Sequence, residues 1–174
     1  MSPRNAFVAD ALAESGIASL LLDLLTTREE AADRQTSEFR FDIGLLARRL
    51  ARATQWVAAQ ANLRGFGLGY FGASTGAAAA LVAAATVPSD IRAVVSRGGR
   101  PDLAGAHLTQ VRSPTLLIVG GADHVVIDLN RRAAAQITAR CELSIVPGAT
   151  HLFEEPGALE NVADLACAWF SRFL

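Results

Sequence analysis

A serine, an aspartate and a histidine occur in an order that could support nucleophilic catalysis. Ser74 is the centre of the pentapeptide Gly-Ala-Ser-Thr-Gly at 72–76, between a short apolar stretch and an alanine-rich one. A serine on a sharp strand-to-helix turn needs small residues two places before and two places after it, because its strained backbone crowds them. The pattern Gly-x-Ser-x-Gly therefore predicts a serine hydroxyl at the tip of such a turn.

Asp123 and His151 follow Ser74 at the ends of two later predicted strands. The carboxyl ends of parallel strands meet at one edge of a sheet, where ligands bind. A histidine beside a serine hydroxyl can take its proton, and a carboxylate on the other ring nitrogen orients the imidazole. We therefore interpret Ser74, Asp123 and His151 as a catalytic triad. The N–H of Thr75, at the positive end of the following helix, is the predicted oxyanion donor.

Each of these residues also has an ordinary structural interpretation. The pentapeptide can arise by chance in a chain rich in glycine and alanine, and Asp123 stands where a residue that caps the following helix is expected. His151 is equally compatible with a surface loop. Glu154 and Glu155, which follow it, are predicted to be solvated.

Other polar residues give weaker signals. Arg97 and Arg100 flank a glycine pair after a predicted strand, where they either line the mouth of a pocket for an anionic substrate group or lie solvated in an exposed loop. The three histidines are His107, His124 and His151, and no two of them have the spacing of metal ligands. We therefore predict no metal site.

Composition and charge limit the class of protein. The 174 residues suffice for one domain with a substantial core, so we predict a single domain over residues 1–174. Hydrophobic residues make up 51% and charged residues 19%, which is typical of a globular, soluble chain. The net charge of -1 favours neither nucleic acid nor an anionic membrane surface as a partner.

The same features bear on location. The sequence has no apolar run long enough to span a membrane, and its first residues lack the apolar core of a signal peptide. Two cysteines without metal-ligand spacing are expected to stay reduced, so we predict a cytoplasmic protein.

The apolar pattern predicts helices alternating with strands. Predicted strands cover 17–25, 68–71, 91–96, 115–120 and 141–146, and predicted helices cover 3–16, 43–65, 75–85, 126–140 and the residues from Pro156 onward. The polar stretch 26–40 is predicted to be a loop or frayed helix, Asp42 an N-cap, and Pro88 and Asp90 a turn. This order predicts an α/β fold, with a mostly parallel sheet of about five strands and helices on both faces.

Taken together, these motifs resemble the dienelactone hydrolase branch of the α/β-hydrolases. The chain is similar to the small hydrolase-like domains that some bacteria fuse to a phosphoribosyltransferase-like domain. The resemblance covers nearly the whole chain and rests on SPRN at 2–5, LLDLL at 21–25, GASTG at 72–76, SRGGRPDL at 96–103, VGGAD at 119–123 and PGATHLF at 147–153. The order Ser, Asp, His also matches that of the superfamily.

The resemblance implies hydrolysis of an ester or lactone through an acyl-enzyme, without a cofactor. Dienelactone hydrolase itself has a cysteine nucleophile, whereas this chain has Ser74. We therefore expect a carboxylesterase for small or short-chain esters. Two alternatives stay open: a thioesterase or acyltransferase that uses the same residues, and a catalytically weak or silent interaction domain.

Members of the family place a strand and a His-Gly-type loop before the first helix, and that loop supplies a second oxyanion N–H. This sequence begins at the helix, so we expect a compact sheet without the usual N-terminal strands. No long insertion follows the strand predicted at 91–96, so we expect no lid. The absent strand would lie between 17–25 and 68–71. These two strands could pair directly, accept a segment of another subunit, or rearrange into a homodimer contact.

Overall fold

The computed structural model describes residues 2–87 and 91–174, and within them four strands form one parallel sheet. Their order in the sheet is their order in the chain: β1 (Leu68–Ala73), β2 (Ile91–Arg97), β3 (Thr115–Gly120) and β4 (Cys141–Val146). The helices of the same residues are α1 (Pro3–Glu14), α2 (Thr27–Thr36), α3 (Glu38–Phe41), α4 (Ile43–Ala59), α5 (Thr75–Thr86), α6 (His124–Ala134) and α7 (Ala158–Phe173). The predicted turn at Pro88 and Asp90 lies outside the described residues.

Helices cover both faces of the sheet, as the sequence predicts. Helices α4 and α5 pack on one face, around Tyr70 and Val94. Helices α1 and α7 pack on the other, around Val95 and Ile118. Strands β2 and β3 are buried on both faces, which explains their nearly continuous apolar sequence. The alanines of α5 are almost all buried, so this helix lies close to the strands.

The predicted strand at 17–25 is wrong, and so is its direct pairing with 68–71. These residues form an irregular connection in which Leu20 is 59% and Leu22 is 45% exposed. An apolar run becomes a strand only where a neighbouring strand accepts its hydrogen bonds. Among the described residues β1 pairs with β2 alone, so the sheet has four strands rather than five.

The polar stretch that follows is more regular than predicted. It forms α2 and α3, and α2 begins with a capping box in which Thr26 and Glu29 exchange hydrogen bonds. Asp42 is the N-cap of α4, as predicted, because its carboxylate accepts the N–H of Leu45 at 2.8 Å. In the described part of the chain, no helix is both long and apolar enough to cross a bilayer.

Two further helices differ from prediction at their ends. Helix α4 stops at Ala59, well before Gly65, and a short 3-10 turn follows it. Helix α6 runs from His124 to Ala134, so it starts earlier and ends earlier than predicted. Asp123 caps it at the start, which explains why the helix begins directly after this residue.

Candidate active site

Ser74 occupies the turn between β1 and α5 with a backbone that only a constrained site would hold. Its φ of 51° is positive, which costs a residue other than glycine about 1–3 kcal/mol. Backbone hydrogen bonds fix the turn: Ser74 N donates to Arg97 O at 3.3 Å, and Ser74 O accepts from Arg100 N at 3.1 Å. The side chain of Ser74 caps no N–H of α5, so its hydroxyl stays available for other contacts.

The two glycines of the pentapeptide have unequal roles. A Cβ at Gly72 would lie 2.6 Å from both Ala77 Cα and Gly76 O, closer than Cβ atoms come to other heavy atoms. A Cβ at Gly76 would meet no atom within 4 Å beyond the backbone of its own helix. The steric argument from the sequence therefore holds for Gly72 and does not hold for Gly76.

Thr75 is the first residue of α5. The first N–H groups of a helix have no acceptor within the helix, and they lie at the positive end of its dipole. The N–H of Thr75 therefore has the chemistry of an oxyanion donor next to Ser74.

Asp123 and His151 are in direct contact, although 28 positions separate them in the chain. His151 Nδ1 and Asp123 Oδ2 are 2.7 Å apart. The other carboxylate oxygen of Asp123 accepts the N–H of Val126 at 3.4 Å. Asp123 therefore both caps α6 and contacts the histidine, so its two interpretations from the sequence are compatible. The side chain of Asp123 is 16% exposed and that of His151 is 39% exposed, so a ligand can reach the imidazole more easily than the carboxylate.

Backbone contacts join the loops that carry these two residues. Ala122 N donates to Ala149 O at 2.9 Å, and Gly121 N donates to Val146 O at 2.8 Å. A Cβ at Gly120 would lie 2.4 Å from Ala149 O, so the last residue of β3 must be a glycine. The Asp123–His151 pair therefore rests on two loops that touch through main-chain atoms.

Glu155 adds a contact to the histidine loop that the sequence interpretation missed. Its carboxylate accepts the N–H of Thr150 at 3.0 Å, and hydrogen bonding from Thr150 holds the pKa of Glu155 below its usual value. Glu154, in contrast, faces outward and pairs with Arg4 at 3.2 Å. A glutamate five residues after a loop threonine has no distinctive local pattern, so only the fold reveals the contact.

Ser74 and His151 both lie beside the end of β2. Ser74 bonds the carbonyl of Arg97, and the next residue, Gly98, is packed against His151, whose Cε1 would be 3.6 Å from a Cβ at that position. Among the described residues, no hydrogen bond joins the Ser74 hydroxyl to the imidazole. The structure thus brings Asp123 and His151 together, and both Ser74 and His151 lie beside the end of β2.

The two predicted pocket arginines differ in their partners. Arg100 forms two hydrogen bonds with Asp102, at 2.9 and 2.7 Å, and this pairing raises the pKa of Arg100. Arg97 is 7% exposed, and its side chain forms no hydrogen bond or ion pair with any described residue. Burial, together with the nearby charge of Arg4, lowers the pKa of Arg97 to about 10.

The remaining histidines and the cysteines form no hydrogen bond with this pair, among the described residues. His124 is exposed at the start of α6, and His107 Nδ1 lies 3.1 Å from the carbonyl of Ala104. Cys141 and Cys167 are free thiols, and burial raises the pKa of Cys141 to about 11. Across residues 2–87 and 91–174, no three histidine, cysteine or acidic side chains are grouped as metal ligands.

Several known proteins are similar to this chain in sequence or in structure. The family model described as "Dienelactone hydrolase family" matches residues 3–174. The crystal structure of dienelactone hydrolase from Anabaena variabilis ATCC 29413 is 55% identical, with a TM-score of 0.96, over 99% of this chain and 80% of that chain. The dienelactone hydrolase-like promiscuous phosphotriesterase P91, from metagenomic libraries, is 19% identical with a TM-score of 0.77, over 99% of this chain and 81% of its own.

Two Mycobacterium tuberculosis proteins are similar over part of their length. The proteins from strains CDC 1551 / Oshkosh and ATCC 25618 / H37Rv, both named "Putative phosphoribosyl transferase", are 59% identical over 169 residues, which is 97% of this chain. The chain spans 37% of the length of these relatives. The family match, the 55% identical dienelactone hydrolase structure and the parallel sheet with helices on both faces agree: the chain belongs to the dienelactone hydrolase family, with an α/β-hydrolase fold.

Proposed function

We propose that the chain is a serine hydrolase that cleaves small carboxylic esters or lactones through an acyl-enzyme. The observation that carries the proposal is the 2.7 Å contact between His151 Nδ1 and Asp123 Oδ2, beside the strand end that the Ser74 N–H also contacts. A carboxylate on one ring nitrogen leaves the other nitrogen to act as a base toward a serine.

In the proposed reaction, the Ser74 oxygen attacks the ester carbonyl while His151 Nε2 takes the hydroxyl proton. The negative oxygen of the tetrahedral intermediate accepts the N–H of Thr75. The bond to the leaving oxygen then breaks, and His151 returns the proton to that oxygen, which releases the alcohol and leaves an acyl-serine. Water attacks the acyl-serine in the same way, so the products are the acid and free Ser74.

A hydrogen bond between the Ser74 hydroxyl and the imidazole must form for this reaction. Catalytic hydrogen bonds are often long before the substrate binds and tighten in the complex. His151 has room to adjust, because its ring is partly exposed and held mainly through Nδ1.

The experiment is hydrolysis of p-nitrophenyl acetate and butyrate by the chain and by Ser74→Ala. We expect the variant to lose at least about 10³-fold in kcat/KM, because it lacks the attacking oxygen. Ser171→Ala, an exposed serine on α7, is the matched control and should keep full activity. A fluorophosphonate should form a bond from phosphorus to the Ser74 oxygen, with loss of fluoride, in the wild type only. Equal rates for wild type and Ser74→Ala would contradict the proposal.

We further propose a preference for short acyl chains. The connection from β2 to β3 is a compact 3-10 segment, Pro101–Gln110, rather than a long insertion that could close over an alkyl chain. Rates with p-nitrophenyl esters of increasing length should fall beyond butyrate, and a rise toward long chains would contradict this part. Rates of thioester hydrolysis, measured beside those of the esters, test the thioesterase alternative directly.

A silent interaction domain is the second candidate. The observation in its favour is the absence, in the described part of the chain, of a hydrogen bond between the Ser74 hydroxyl and His151. Under this alternative neither ester hydrolysis nor fluorophosphonate labelling occurs, so the same experiment separates the two.

A further inference from the structure

Asn130 is a fully buried amide on α6 whose donor group faces two main-chain carbonyls. Its exposed fraction is 0%, and its Nδ2 lies 2.8 Å from Val126 O and 3.0 Å from Gly99 O. An amide oxygen in this place would face two other oxygens with no proton between them, so the NH2 group must point there. The side chain of Asn130 therefore links α6 to the loop that follows β2.

This link leaves the other end of the amide unsatisfied. Asn130 Oδ1 is shielded from solvent and has no hydrogen-bond partner among the described residues. A buried acceptor without a partner is unfavourable, whereas a leucine of similar size would bring no polar atom into the core. The donor group, rather than packing, therefore accounts for an asparagine at this position.

The carbonyl of Gly99 belongs to the same peptide group as the N–H of Arg100, and this N–H donates to Ser74 O at 3.1 Å. The carbonyl of Ser74 in turn belongs to the same peptide group as the N–H of Thr75, the proposed oxyanion donor. Because a peptide group is planar, a hydrogen bond that holds its oxygen also restricts where its N–H points. Two planar groups in series therefore connect the Asn130 amide to the Thr75 N–H.

The backbone at Gly99 has little freedom to move. A Cβ at this residue would overlap Ser96 Oγ and would lie 2.7 Å from the Cβ of Ala77, which is in the first turn of α5. Close packing of this kind transmits a displacement instead of absorbing it. The loop after β2 and the start of α5 are therefore expected to shift together.

The same side chain is tied to the helix that follows the acid. Val126 O, the second acceptor of Asn130, lies in the first turn of α6. Asp123, which contacts His151, caps this turn by accepting the Val126 N–H at 3.4 Å. Asn130 thus joins the helix start next to Asp123 to the turn that carries Ser74.

We propose that Asn130 is a positioning residue, which orients the Thr75 N–H toward the negative oxygen of the tetrahedral intermediate through the two peptide groups. The proposal rests on the proposed function, because an oxyanion donor matters only if Ser74 attacks a carbonyl. Hydrogen bonds in series polarise one another, so the contact from Asn130 also makes the Thr75 N–H a stronger donor.

The first readout of the test is catalytic. Asn130→Leu removes the donor at a similar volume, and we expect kcat for p-nitrophenyl acetate to fall roughly tenfold with little change in KM, because the oxyanion forms only after the substrate has bound. Ser113→Ala is the matched control and should keep kcat. It removes another buried donor, 2.7 Å from the carbonyl of Ile91 at the other end of β2.

A second variant separates the two contacts of the amide. In Asn130→Ser, the hydroxyl can still bond Val126 O, four residues earlier in the helix, but the shorter side chain gives up the contact with Gly99 O. We expect the same fall in kcat as in Asn130→Leu, and Asn130→Ser alone provides the catalytic test if the leucine variant does not fold.

The second readout needs no turnover. Amide proton resonances move upfield when a hydrogen bond weakens, so the NMR signals of the Arg100 and Thr75 amides should move upfield in Asn130→Ser and stay in place in Ser113→Ala. Unchanged shifts at both amides overturn the proposal, whatever the activity.

The proposal is also overturned by an unchanged kcat in the Asn130 variants, by a loss that appears in KM alone, or by an equal fall of kcat in Ser113→Ala. An inactive wild type that nevertheless shows the expected amide shifts would contradict the proposed function, while supporting the orientation of the Thr75 N–H by Asn130.

Discussion

The C-terminal edge of the sheet and the segment 17–42 are held by contacts of different kinds. At the edge, main-chain atoms touch: Ala122 N bonds Ala149 O, and Gly120 has no room for a side chain. In the segment 17–42, apolar side chains such as Leu20 are exposed, and one tertiary link is the pair of Arg49 with Glu29, two hydrogen bonds of 2.7 Å each. Close main-chain packing therefore holds the edge, whereas a charged pair contributes to holding the segment.

This difference decides how each region responds to change. A contact between main-chain atoms cannot relax by choosing another rotamer, so an added methyl group forces the backbone itself to move. An ion pair between partly exposed side chains is weakened by salt and is lost when its carboxylate is protonated. Its loss does not force the backbone to move. We expect mutations at the edge to have large effects and mutations in the segment to have local ones.

The largest effect is expected at Gly72. Gly72→Ala places a methyl group 2.6 Å from Ala77 Cα, and we expect a loss of roughly 3 kcal/mol in the free energy of unfolding. Gly76→Ala is the matched variant, because the same methyl group meets open space there. It should be neutral or stabilising by about 0.5–1 kcal/mol, since alanine loses less backbone entropy on folding. Urea denaturation measures both, and equal losses at the two glycines would contradict the shape argument.

The next effect concerns activity rather than stability. Glu155→Gln weakens the acceptor for Thr150 N–H and loosens the loop that carries His151, so we expect kcat for p-nitrophenyl acetate to fall about tenfold with little change in KM. Glu154→Gln, its outward-facing neighbour, should leave kcat unchanged. A similar effect of both variants, or of neither, would show that the Glu155 contact does not position the histidine.

The same contrast explains what could be predicted from the sequence. The bounds of β3 and β4 agree with prediction, because short apolar runs between turn residues specify buried strands locally. The turn at Ser74 and the cap at Asp123 were likewise accessible from local pattern. The irregular structure of 17–25 could not be predicted, because an apolar run does not reveal whether a neighbouring strand exists to pair with it.

The candidate site was also predictable only in part, because some of its contacts join residues that are distant in the chain. Residue type and order along the chain pointed to Ser74, Asp123 and His151, and their catalytic roles stay a prediction. The burial of Arg97 and the contact of Glu155 with Thr150 depend on how helices and loops that are distant in the chain pack together, which leaves no periodic signal in the sequence.

A smaller and more local effect is expected at Arg49. Its guanidinium bonds both Glu29 and the carbonyl of Leu24 at 2.7 Å, so Arg49→Gln removes the link between α4 and the segment before it. We expect faster amide hydrogen exchange in residues 20–36 and unchanged exchange in α5. Arg48→Gln, its exposed neighbour on α4, should change neither. Faster exchange throughout the chain would mean that the segment is part of the global cooperative unit.

The smallest expected effect is a dependence of stability on pH. The Arg49 guanidinium, with Thr26, lowers the pKa of Glu29 from 4.5 to about 2. Because the folded state holds the lower pKa, the contact stabilises the fold above about pH 4.5 and is lost as the pH falls from there toward 2. The difference in unfolding free energy between wild type and Glu29→Gln should therefore shrink across that window, whereas Glu30→Gln, whose partner Arg34 is exposed, should show little change. A high salt concentration should reduce the difference as well, since both groups lie near the surface. If the difference instead stays constant with pH and salt, shape rather than charge holds the segment 17–42, and the contrast between the two regions fails.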